Sequence, residues 1–223
     1  MTALIGPMMG ASSGKADSLV IFLHGYGANG DDLFGLSQPM ATQLPNTTFI
    51  APNAPEVCVN NPMGYQWFGI PHMDGTAESA AQASMENSVT LLNAFLDDAE
   101  AQTGVPAART ILFGFSQGTM MSLHVGPRRA AQLGGIVGFS GRLLKPENLE
   151  AELVTKPPAL LIHGDEDPVV PFASMAEAAS ALSKAGLETY THTSKGLAHG
   201  IDTEGLDLAL QFIHGQLNKT STD

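Results

Sequence analysis

Arg109-Thr110-Ile111-Leu112-Phe113-Gly114-Phe115-Ser116-Gln117-Gly118-Thr119-Met120-Met121 is the stretch on which the reading of this chain turns. An apolar, β-favouring run enters a Gly-x-Ser-x-Gly, and a run containing Met and Leu leaves it, which predicts strand, sharp turn and helix in succession. A serine at such a turn is strained and presented at the top of a sheet, where its hydroxyl can attack a carbonyl, so Ser116 is a candidate nucleophile. The letters alone carry little weight in a chain with 24 glycines in 223 residues. Gly10-Ala11-Ser12-Ser13-Gly14 matches them too, but it follows no strand and leads into a segment containing Lys15 and Asp17, so residues 1–17 read as a loop or sheet-edge segment.

Outward from the elbow, strand and helix alternate. Upstream, Ala77 to Thr103 places Met85, Val89, Leu92, Leu96 and Ala99 on one stripe, and Gly104 with Pro106 closes that helix. Further upstream, Leu19 to Leu23 is a continuous apolar run of the kind buried on both faces of a parallel sheet, and Thr47 to Ala51 is another strand. Asp31 or Asp32 is expected to cap a helix running towards Leu44, with Pro39 counting against it. Residues 52–76 form a long loop whose Tyr65, Trp67 and Phe68 argue for order.

Downstream come strands at 135–140 and 159–163, a helix from Phe172 to Lys184, a strand over 187–193 and a closing helix from Thr203 to Leu217. No repeat or composition shift interrupts the order. It predicts a single α/β domain over 1–223, doubly wound around a mainly parallel sheet with helices on both faces.

The formal charge of −12, from 10 basic and 22 acidic residues, argues against nucleic acid and anionic membranes as partners. No apolar run approaches the length of a membrane span, which excludes stable membrane insertion by a helix. The single Cys58 fits a reducing compartment, and no basic residue precedes the short apolar patch near Met1, so a cytoplasmic setting is expected.

Ligands of parallel sheets gather beyond the C-terminal ends of strands. A serine, a carboxylate and a histidine stand there in order: Ser116, then Asp165 or Asp167 after the 159–163 strand, then His199 after the 187–193 strand. That is the order expected of a hydrolase triad on such a sheet. His24 reads as a brace for the loop after the first strand, whereas His72, His124, His192 and His214 read as ordinary structural histidines. The 165–167 acids lack metal-ligand spacing, so no metal is expected.

Leu23-His24-Gly25-Tyr26-Gly27-Ala28-Asn29-Gly30, Gly114-Phe115-Ser116-Gln117-Gly118, His163-Gly164-Asp165-Glu166-Asp167-Pro168-Val169-Val170-Pro171 and Ala198-His199-Gly200 together resemble the phospholipase/carboxylesterase family of α/β-hydrolases. The resemblance runs over nearly the whole chain. It implies an α/β-hydrolase fold with a minimal lid, Ser116 as nucleophile, His199 as base and acid, and Asp167, which stands directly before a proline, as the orienting carboxylate. It implies an oxyanion hole made by the backbone N–H groups of Tyr26 and Gln117, and Trp67 or Phe68 either walling the acyl site or anchoring the loop. A serine carboxylesterase acting on a small-molecule acyl ester without a cofactor is the activity implied. Acyl thioesterase and lysophospholipase remain open on the same triad, as do a catalytically silent binding protein and a homodimeric assembly.

Overall fold

The computed structural model describes residues 4–219. In chain order its elements are β1 (Met8–Met9), β2 (Ser18–Leu23), α1 (Gly30–Phe34), α2 (Ser37–Gln43), β3 (Thr47–Ile50), β4 (Glu56–Val57), β5 (Tyr65–Gln66), α3 (Pro71–Asp74) and α4 (Glu78–Thr103). There follow β6 (Thr110–Phe115), α5 (Gln117–Val125), β7 (Gly135–Phe139), α6 (Leu149–Glu152), β8 (Ala159–Gly164), α7 (Ala173–Lys184), β9 (Thr189–Ser194) and α8 (Thr203–Leu217). The main sheet has seven strands in the order β1-β3-β2-β6-β7-β8-β9. All its pairings are parallel except β1 on β3, which makes β1 an antiparallel edge.

The apolar runs become central strands because both faces are covered. Along β2, Leu19, Ile21 and Leu23 pack with α4 and α5, while Val20 and Phe22 pack with α1, α2 and α8. On the second face Phe49, Phe22, Phe113 and Phe139 run across four adjacent strands with ring centroids 5.2–6.0 Å apart. The stripe on α4 is buried at Met85, Leu92, Leu96 and Ala99, with Val89 half-buried against the same core. Gly104 ends that helix in the left-handed conformation, φ 69°. No helix among the described residues is long and apolar enough to cross a membrane.

Two expectations are corrected. The segment from Asp31 towards Leu44 is two helices, not one, and its N-cap is Asn29, whose side chain accepts from Asp32 N while Asp32 accepts from Asn29 N. The break between α1 and α2 puts Pro39 in the first turn of α2, where a helix has no use for the missing N–H. The 52–76 segment is ordered, as its aromatics imply, but it is not loop throughout: it holds the β4–β5 hairpin and α3, and Tyr26 Oη donates to Asp74 Oδ2 at 2.8 Å to tie it to the loop after β2.

Candidate active site

Ser116 stands between β6 and α5 with φ 54° and ψ −115°, in the sparsely populated region expected of an elbow. The turn is possible because the elements around it touch backbone to backbone. A Cβ on Gly118 would lie 1.8 Å from Leu23 O, and one on Gly114 would lie 2.5 Å from Thr119 N. Ser116 N donates to Phe139 O at 2.9 Å, fixing the elbow to β7, and Met120 N reaches Ser116 O at 3.2 Å to start the helix. Met120 and Met121 are buried beneath the elbow, in the same core as Trp67. The Ser116 hydroxyl has no hydrogen-bond partner among the described residues.

At the ends of β8 and β9, His199 Nδ1 and Asp167 Oδ2 are 2.7 Å apart. The Asp167 side chain is wholly buried and that of His199 is 18% exposed. Asp167 Oδ1 accepts from Val169 N at 2.8 Å and Val170 N at 2.9 Å. Burial would raise the Asp167 pKa, but the His199 bond, the two amides and the His199 charge outweigh it and hold the group below the ordinary carboxylate value. A carboxylate only accepts, so His199 Nδ1 carries the proton and Nε2 is left as the basic atom. The His199 ring packs on Phe115 with centroids 4.9 Å apart, which sets it against the residue preceding Ser116. Asp165 serves elsewhere: its Oδ1 accepts from Gly196 N at 2.6 Å, in the loop that carries His199.

The N–H groups of Tyr26 and Gln117 donate to no acceptor among the described residues. The latter is the first residue of α5, where a helix leaves its N–H free. The loop bearing Tyr26 lies close over the elbow, since a Cβ on Gly25 would be 3.2 Å from Ser116 Cβ. His24 braces this loop. Its Nε2 accepts from Ala54 N at 2.9 Å, so Nδ1 carries the proton and donates to Gly25 O at 2.8 Å. Burial lowers the His24 pKa, and the ring is neutral, as both bonds require.

Trp67 is fully buried, its Nε1 donating to His24 O at 3.0 Å and its carbonyl accepting from Ser88 Oγ. The Gln117 side chain completes the clamp, accepting from Trp67 N at 2.8 Å and donating to Phe68 O at 2.7 Å. These are the contacts of an anchor. Phe68 is 8% exposed, in the same core.

Three contributors carry no sequence signal of their own: the side chain of Gln117, Asp74 and His163. His163 is the last residue but one in the buried run of β8 and reads as one more strand residue. It earns notice only because the chain folds back, bringing its Nε2 to 3.0 Å from Val170 O and 3.2 Å from Asp167 Oδ2. His124 is pushed down to about 4, first by burial and then by the Arg128 charge, and lies on the last turn of α5, at the far end of that helix from Ser116. Among the described residues no three His, Cys, Asp or Glu side chains gather as a metal site.

A mostly parallel sheet covered on both faces, with a serine at a strand-to-helix elbow, defines an α/β-hydrolase. The pattern of the phospholipase/carboxylesterase family matches residues 7–217, and the chain belongs to that family. It is 30% identical to acyl-protein thioesterase 1 of Gibberella zeae, over 96% of each chain. It is 28% identical to the esterase YpfH of Escherichia coli, over 92% of this chain and 85% of that one. Among solved structures, esterase PE8 is 47% identical with a TM-score of 0.92, covering 97% of this chain and 100% of that one. SOBER1 of Arabidopsis thaliana is 25% identical with a TM-score of 0.75, covering 90% and 99%. The chain is a hydrolase of ester bonds.

Proposed function

We propose that the chain is a serine carboxylesterase working through an acyl-enzyme on Ser116. The observation that carries this reading is the 2.7 Å pairing of His199 Nδ1 with buried Asp167 beside a serine held in a strained elbow. Ser116 Oγ attacks the ester carbonyl and its proton passes to His199 Nε2. The oxygen that gains charge takes the unused N–H groups of Tyr26 and Gln117. Collapse of the tetrahedral intermediate expels the alcohol oxygen, which receives the proton from His199, and the acyl group stays on Ser116. Water then attacks the acyl carbonyl, giving its proton to Nε2, and Ser116 leaves with that proton as the acid is released. Asp167 keeps its charge and stabilises the imidazolium. Trp67 and Gln117 hold the loop of Tyr26 in place from beneath.

No step calls for a cofactor. The single cysteine is free and buried, which fits a reducing compartment, and the cytoplasm is the proposed setting. The likeness to acyl-protein thioesterase 1 supports a second reading, cleavage of acyl thioesters by the same steps. A fluorophosphonate probe is expected to label the wild-type chain on Ser116 and to leave Ser116→Ala unlabelled. Equal labelling of both would overturn the assignment of the nucleophile. A panel of matched oxygen esters and thioesters then separates the two readings.

A further inference from the structure

Two of the cavities among the described residues are lined by segments that end or follow sheet strands, one by residues at the ends of β2 and β6 and one by the loop after β7, and they differ in chemistry. One, of about 320 Å³, is lined by Gly25, Phe115, Leu33, Leu36 and Ile201. Phe115 packs on the His199 ring, so this cavity lies on the histidine side. The departing alcohol must receive its proton from His199, so this side suits the alcohol, and the acyl group needs a separate cavity within reach of Ser116. The other cavity, of about 410 Å³, has apolar walls from Met85, Leu143, Leu144 and Ala178, with Arg142 and Lys145 at its mouth.

The second cavity is fastened to the elbow. Phe115 and Phe139 are paired across β6 and β7, so Ser140 stands beside Ser116, roughly 5 Å away. Gly141 then presses on the elbow, since its Cβ would meet Ser116 O at 3.0 Å. Arg142 is the next residue, with its Cα within roughly 12 Å of the nucleophile. Its guanidinium is exposed and forms no ion pair or hydrogen bond among the described residues. Lys145 Nζ donates to Gln82 Oε1 at 2.7 Å, Gln82 Nε2 donates in turn to Glu86 Oε1, and Lys145 forms no direct ion pair among the described residues. Glu177, on α7, is the one carboxylate in the lining and pairs with neither cation. The lining therefore carries two cations against one carboxylate, on a chain whose formal charge is −12.

Resting on the esterase reading, we propose that this cavity receives the acyl chain of a dicarboxylic half-ester, its methylenes on Met85, Leu143 and Leu144 and its free carboxylate on Arg142 and Lys145. A planar guanidinium offers a carboxylate two parallel hydrogen bonds, and the apolar walls take the chain between the two ends. Glu177 opposes the anion and limits the preference.

The test compares p-nitrophenyl half-esters of succinate, adipate and suberate with the neutral butyrate, hexanoate and octanoate esters. The readout is the ratio of kcat/KM for the anionic over the neutral ester of matched length. Arg142→Gln is expected to lower the ratio about tenfold, Glu177→Gln to raise it several-fold, and added salt to shrink it in the wild type. Both side chains are exposed, so neither variant threatens the fold. Neutral esters turned over with a ratio insensitive to both substitutions would overturn the half-ester assignment and leave the esterase standing. Failure of the wild type on both series, together with absent probe labelling, would remove the esterase reading itself.

Discussion

Gln117→Ala separates the two tasks of one residue. The substitution keeps the main-chain N–H proposed for the oxyanion hole and deletes the side-chain amide that accepts from Trp67 N and donates to Phe68 O, both in the buried core. Each of the two buried groups left unpaired costs about 1–3 kcal/mol, so a loss of about 2–6 kcal/mol is expected. At this chain length that is a fall in Tm of about 4–24 °C. Turnover of a neutral ester should drop roughly ten- to a hundredfold, because Trp67 supports the Tyr26 loop through His24 O and displacements near 1 Å are that costly. Gln117→Glu distinguishes hydrogen bonding from packing, since its volume is nearly the same. A buried glutamic acid keeps both bonds only while protonated. Burial raises its folded pKa above the unfolded value of about 4.3, so its stability should be retained in acid and lost as pH rises through the folded pKa. Denaturant titrations across pH give both numbers. A Gln117→Glu variant as stable as wild type at alkaline pH would refute the clamp.

Gly118→Ala is expected to prevent the native elbow from forming, because the added Cβ would fall 1.8 Å from the Leu23 carbonyl, which belongs to the backbone of a central strand. Circular dichroism and loss of probe labelling check it. His124 has its pKa lowered from 6.5 to about 4 in the folded chain. The unfolded chain takes the proton first, so stability should decline as pH falls from 6.5 to 4, and the slope should flatten in His124→Gln. Urea midpoints over that pH range measure it.

The sheet was legible because its strands are apolar runs and its faces alternate, as Leu19 and Val20 do. The helix over 78–103 was legible from its stripe and its terminal glycine. What escaped depends on residues that meet only after folding. Nothing periodic marks Gln117 as a partner of residues 49 and 50 positions away, nor Asp74 as a partner of Tyr26. The split between α1 and α2 turns on one local cap, Asn29, which competes with the neighbouring aspartates for the same role. Trp67 announced an ordered loop, but only its full burial and its bond to His24 O give its place in the clamp.

Asp165 and Asp167 posed a choice between two near neighbours, and their contacts make opposite demands on an amide. Asp165 uses one oxygen, accepting from Gly196 N, and Asn offers an oxygen at the same place. Asp165→Asn should therefore lose little. Asp167 uses both oxygens, Oδ1 on the Val169 and Val170 amides and Oδ2 on His199 Nδ1. In Asp167→Asn the oxygen satisfies the two amides and the NH₂ group is left facing His199. Nδ1 must then accept, the ring proton moves to Nε2, and that atom can no longer take the proton of Ser116. A loss of about 10⁴-fold in kcat is expected with the fold intact, against a few-fold at most for Asp165→Asn. Equal losses in the two variants would mean that the loop carrying His199, and not the tautomer of its ring, is what these carboxylates control.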